Sequence, residues 1–120
     1  MHLIPTIDQV ASFEGDAIAQ VWLDPYGVRF LFESMDQLYA EHGIEHVEPD
    51  GKIWRYNCEA TGGPSLALHR LLYKRINADE RSDLRLTFRF EDGSALTVLS
   101  ELGPYECGHI ISKKGGYWVF

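Results

Sequence analysis

Basic residues are scarce in this chain, cysteines are scarcer, and no catalytic signature occurs at all. Lys and Arg number 11 against 18 Asp and Glu, for a net charge of −7. That balance repels polyanions and makes nucleic acid and anionic membrane poor partners. Arg70, Lys74, Arg75 and Arg81 are a local exception, and cations near a helix C-terminus favour its dipole. Cys58 and Cys107 are the only cysteines and form no C-x-x-C pair. "MHLIPTIDQV" has neither a basic start nor the long apolar segment of a leader, so the expectation is a cytoplasmic protein with reduced thiols. No run approaches the roughly 20 apolar residues of a membrane span. A chain of 120 residues closes a core without metal or disulfide, so no cofactor is expected.

What the chain does have is a globular composition, 45% hydrophobic and 12% aromatic, and an internal echo. Phe32 and Phe90 lie 58 positions apart, and the same offset carries Ile18 onto Ile76, Phe30 onto Phe88, Glu33 onto Glu91 and Leu38 onto Leu96. The register holds without a gap from Ile18 to Ala40, and Val28 on Leu86 and Ala40 on Val98 keep the apolar alternation. This predicts a duplicated β-meander. "VRFLFES" puts Val28, Phe30 and Phe32 on one face after a Pro25-Tyr26-Gly27 turn. "LRLTFRF" puts Leu84, Leu86, Phe88 and Phe90 inward and Arg85, Thr87 and Arg89 outward, and Asp92-Gly93 suits a type I′ turn. A further hairpin turns at Pro49-Asp50-Gly51 and returns through Ile53, Trp54 and Tyr56, with a bulge or bend expected at Gly43. The last hairpin turns at Lys113 to Gly116 and ends in Tyr117, Trp118, Val119 and Phe120.

Between the copies, Thr61-Gly62-Gly63-Pro64 precedes Leu68, Leu71, Leu72 and Ile76 at helical spacing, which predicts a helix from about Pro64 to Arg75. A shorter helical turn around Ile7 to Phe13 is its counterpart. The expected fold is α+β in one domain, 1–120: mainly antiparallel β, with two similar β-meanders, halves about 16–57 and 76–120, packed around one central α-helix at about 64–75.

Leu86, Phe88, Phe90, Asp92, Gly93, Leu96 and Val98, with "EPDGKIWRY" and "GGYWVF", resemble an uncharacterised bacterial family of small proteins, a domain of unknown function. Its pattern has a strand pair reading L-x-F-x-D-G-x-x-L-x-V, a Leu-rich central helix and an aromatic C-terminal strand. The resemblance covers the chain from about Gly15 onward and implies a fold without implying an activity.

Candidate chemistry is sparse. On a strand, His42, Ile44, His46 and Glu48 of "EHGIEHVE" share a face, and two imidazoles with a carboxylate can bind a divalent metal. No fixed ligand spacing is matched, so exposed polar residues on an edge strand are the plainer reading. Cys107 and His109 alternate and could pair a thiolate with an imidazole, against the simpler role of a buried apolar Cys. His69 is a surface or boundary residue, and His2 belongs to a terminus. Ser65 and Ser94 suit backbone bonding at a helix start and a turn, with no G-x-S-x-G elbow. "TGG" lacks the lysine of a phosphate loop.

Trp22, Trp54, Tyr56, Tyr105, Tyr117 and Trp118 are too many large aromatics to bury in so small a domain, and Tyr and Trp are enriched where proteins meet. The function expected first is therefore a non-enzymatic protein-interaction module, a homodimer, with an acidic immunity-type inhibitor of a basic toxin or nuclease as a specific version. A small-ligand binder with an aromatic-lined pocket is the second class. A metal-dependent enzyme using His42, His46 and Glu48 is the third.

Overall fold

The computed structural model describes residues 3–58 and 66–120. Their apolar residues alternate with polar ones, and the chain answers with ten antiparallel strands. The first half forms β1 (Ile18–Asp24), β2 (Gly27–Phe32) and β3 (Gln37–Ala40), then the hairpin β4 (Gly43–Val47) and β5 (Ile53–Asn57). The second half repeats the plan with β6 (Ile76–Arg81), β7 (Arg85–Phe90) and β8 (Ala95–Leu99), then β9 (Gly108–Ile111) and β10 (Tyr117–Val119).

Each meander takes its hairpin from the other half. The first sheet runs β1-β2-β3-β9-β10 and the second β5-β4-β8-β7-β6. The pairings coincide under the internal offset: Phe30 faces Leu38 as Phe88 faces Leu96. In the exchanged hairpins the offset becomes 64, with Trp54 opposite His46 and Trp118 opposite Ile110. Backbone conformation follows the same map. Positive φ recurs at Gly15 (85°) and Tyr73 (65°), at Met35 (78°) and Gly93 (90°), and at Gly51 (92°) and Gly115 (102°).

The inner faces of both sheets form one core. Phe30, Phe32, Phe88, Leu38, Leu86, Leu96 and Phe120 are fully buried, each contributing about 1.5–3 kcal/mol of transfer free energy. Phe13 bridges the halves, its ring 4.5 Å from Phe32 and 5.3 Å from Phe88. The segment that delivers Phe13 is pinned by Arg81. Its Nη1 donates to the carbonyls of Pro5, Thr6 and Val10, Nη2 donates to that of Ala11, and Nε and Nη2 grip Asp79. Asp79 also accepts from Phe13 N.

The expected central α-helix is not formed, so the α+β class is corrected to an almost wholly antiparallel β fold of two five-stranded sheets. Pro64 and Ser65 lie outside the described residues. Beyond them the chain makes a short 3-10 helix, Leu66–Leu71. Leu68 and Leu71 are buried at a spacing of three, which that tighter helix satisfies. Leu72 and Arg75 then bridge to Ile18 and Ala17 of the first half, and Ile76 enters β6. Backbone bonds to the sheet claim the residues a second helical turn would need. Gly43 opens β4 in regular register opposite Asn57 and Leu99, without a bulge, and the bend falls on Glu41 and His42 just before it; among the described residues the bulges lie at Ile18/Gln20 and Ile76/Ala78. At Asp92-Gly93 only Gly93 has positive φ, so the hairpin is right and the type I′ turn is not.

Candidate functional site

A strand pleat sends alternate side chains to opposite faces, so register alone decides which residues meet across a sheet. On the outer face of the first sheet, one row holds Trp22, Arg29, Tyr39, His109 and Val119, each opposite the next on the adjoining strand. Tyr117 reaches into it diagonally. The row is a stack. The Arg29 guanidinium lies 5.7 Å from the Trp22 ring and 4.9 Å from that of Tyr39. His109 lies 5.0 Å from Tyr39 and 5.2 Å from Tyr117. Cation–π contacts at such surfaces contribute about 0.5–1 kcal/mol each.

Neighbours on the same face hold the polar tips. Trp22 Nε1 donates to Gln20 Oε1 at 2.7 Å, and Arg29 Nη1 donates to Gln37 Oε1 at 2.9 Å. Gly27 makes room for the central ring, since a Cβ there would come 2.6 Å from the Tyr39 hydroxyl. Burial first, and then the hydrogen bond to Asp24, push the Tyr39 hydroxyl up to about 12, so it remains a donor. Burial likewise pushes His109 down against the opposing pull of Glu41, whose Oε1 is 3.7 Å from Nδ1. The imidazole is therefore neutral near neutral pH and sits in the row as an aromatic ring.

The matched row of the second sheet reads Glu80, Thr87, Thr97, Glu45 and Arg55. Thr87 and Thr97 share a 2.8 Å hydrogen bond, Arg89 pairs with Glu80, and Glu45 pairs with Arg55 and Arg85. It carries no ring.

The residues named from sequence separate accordingly. Trp22 and Tyr117 join the row, 43% and 59% exposed, while Tyr105 stands on the loop before β9. Trp54 and Tyr56 lie on the inner side of β5, and Trp118 occupies the matched side of β10. Arg29, Tyr39 and His109 were not among the interaction candidates. Their outward parity in "VRFLF", "QLYA" and "GHII" is visible in the sequence, but their adjacency is not.

His42, His46 and Glu48 do not converge. His42 Nε2 lies 3.4 Å from Glu101. His46 turns inward, 1% exposed, with both ring nitrogens unpartnered, and burial pushes its pKa down. Glu48 accepts from Trp54 Nε1 at 3.0 Å and from Arg70 Nη1 at 2.6 Å, which hold its carboxyl below the usual range, Trp54 most strongly. Among the described residues no three His, Cys, Asp or Glu side chains gather as a metal site. Cys107 is buried with its Sγ toward Tyr105 O, and His109 stacks in the row. His69 is exposed on the 3-10 helix, and Ser94 donates to Asp92 in its turn. His2, Ser65 and "TGG" lie outside the described residues. No described helix is long and apolar enough to cross a membrane. Comparison with family models, curated proteins and solved structures finds no match.

Proposed function

We propose that the chain is a non-enzymatic interaction module that pairs with a second copy of itself through the outer face of its first sheet, in the cytoplasm. The observation that carries this reading is the contrast between matched rows. One backbone plan presents a ring-and-guanidinium stack on one side and a threonine, glutamate and arginine surface on the other. Large rings fixed by stacking lose little side-chain entropy when covered. The Trp22 N–H and the Arg29 guanidinium already donate to Gln20 and Gln37, so covering them leaves fewer donors unpaired. Leu31 and Ile111, half-buried beside the row, extend its apolar area. The face is therefore built to be desolvated, and a self-complementary patch makes a closed dimer.

Sedimentation equilibrium on the full chain tests this. The expected result is a dimer that Trp22→Ala with Tyr117→Ala weakens at least about tenfold. Thr87→Asp, at the position matching Arg29, leaves it intact. A monomer at all concentrations, or a dimer indifferent to the paired substitution, overturns the reading.

A further inference from the structure

The internal repeat exposes a second asymmetry, at the ends of the exchanged hairpins. In the first half the groove between the β4–β5 turn and the 3-10 helix is latched. The Glu48 carboxylate bridges Trp54 Nε1 and Arg70 Nη1, and Lys52 Nζ lies 4.1 Å from the Trp54 ring. In the second half the matched positions are Ser112 for Glu48, Ser12 for Arg70, Gly116 for Lys52 and Trp118 for Trp54. Both serines are short and are used locally, each hydroxyl accepting a turn N–H from Glu14 or Lys114.

No described side chain latches this second groove, and it stands open as a cleft of about 620 Å³, within the range of small-molecule sites. Trp118 forms one wall, Ala11 supplies exposed apolar surface with the buried Val10 and Phe13 behind it, and Lys113 and Lys114 stand at the rim. Glu14, Asp16, Glu33 and Asp36 also line the cleft, and all but Glu14 have partners among the described residues. Asp16 accepts from Ala17 N and Ser34 N, Asp36 from Lys113 N, and Glu33 pairs with Arg75. Among the described residues the Lys113 and Lys114 ammonium groups form no ion pair. Among the described residues Trp118 Nε1 has no acceptor, where its counterpart has a carboxylate.

We propose that this cleft binds a small molecule carrying a carboxylate on an apolar body, the carboxylate filling the place that Glu48 occupies in the other half. It accepts from Trp118 Nε1 and draws on Lys113 and Lys114, while the apolar body lies against Ala11 and the Trp118 ring. Charge-assisted bonds to a ring N–H and to ammonium groups are the stronger class of polar contact. The inference is independent of how the first sheet's outer face is used.

The three indole N–H signals of the full-length protein report on it, with Trp118→Phe assigning the Trp118 resonance. Titration with phenylacetate at millimolar concentrations is expected to move the Trp118 signal saturably and leave those of Trp22 and Trp54 in place. Binding of the uncharged 2-phenylethanol is expected to be at least about tenfold weaker. Ser12→Arg with Ser112→Glu copies the latch of the first half and abolishes the response. Lys113→Ala with Lys114→Ala, both exposed and free of core contacts, weakens it about tenfold, so the test stands if the latched variant does not fold. An unmoved Trp118 signal, an equal response to 2-phenylethanol, or a response unchanged by the lysine substitutions overturns the proposal.

Discussion

At five matched outer positions the first sheet carries Trp22, Arg29, Tyr39, His109 and Val119, and the second carries Glu80, Thr87, Thr97, Glu45 and Arg55. Inward, the same strands match as Phe30 with Phe88, Phe32 with Phe90 and Leu38 with Leu96. Most residues that fill the core are shared between the halves, and most residues that meet solvent are not. The plan is a scaffold set by packing, and what distinguishes its two sides is carried by side chains that packing leaves free.

Inward exceptions to this rule are where substitution should act hardest. Asp79 and Arg81, 0% and 6% exposed, stand where the first sheet has Val21 and Leu23. Asp79→Ala leaves a buried guanidinium without its counter-ion and is expected to cost about 3–5 kcal/mol in denaturant unfolding. Leu23→Ala, at the position matching Arg81 and half exposed, should cost under about 1 kcal/mol. Equal losses would mean that the clamp on the N-terminal segment is not what separates the two edges.

His46 stands where the first sheet has Ile110. His46→Ile removes two buried unpartnered nitrogens and should stabilise by about 1–3 kcal/mol. It should also flatten the acid limb of the stability curve. Burial lowers the folded pKa of His46 below its ordinary 6.5, so under acid the unfolded chain binds the extra proton more readily. Stability is therefore complete above about pH 6.5 and falls as the pH drops toward the folded value. Unfolding midpoints measured from pH 5 to 8 on both proteins give the slope, and an unchanged slope removes His46 from the account.

The smallest effect concerns the turns. Met35 and Tyr73 hold positive φ where the matched residues are Gly93 and Gly15, and both side chains are exposed. Met35→Gly and Tyr73→Gly should each raise stability by about 0.5–1 kcal/mol, and Gly93→Ala should lower it by a similar amount. A loss in either glycine variant would show that the side chain has a contact worth more than the strain.

Much of this plan was legible as a period of two and an offset of 58, because Phe30, Phe32, Phe88 and Phe90 must point inward whichever strands they pair with. The exchange of hairpins was not legible. The loop from Ser100 to Glu106 shifts the offset to 64 just where β9 begins, so the kinship of Trp54 with Trp118 falls out of register. The false helix had a physical source as well, since Leu68 and Leu71 satisfy a 3-10 turn as well as an α-helix, and only bridges to Ile18 and Ala17 decide between them. The outer row was half visible, for Trp22 and Tyr117 announce themselves as aromatics while Arg29 and His109 gain their role only from neighbours remote in the chain. The open cleft was invisible, being defined by two serines.

Exchange of hairpins also sets an order of assembly. β3 and β4 are made early, yet their partners β9 and β8 lie in the second half of the chain. A nascent first half therefore holds two unsatisfied strand edges on either side of a short connection, waiting for pairs that loop closure makes slow to arrive. Refolding should be correspondingly slow, and a ribosome stalled after β5 should display a fragment that sticks to its neighbours and stops doing so once β8 and β9 emerge.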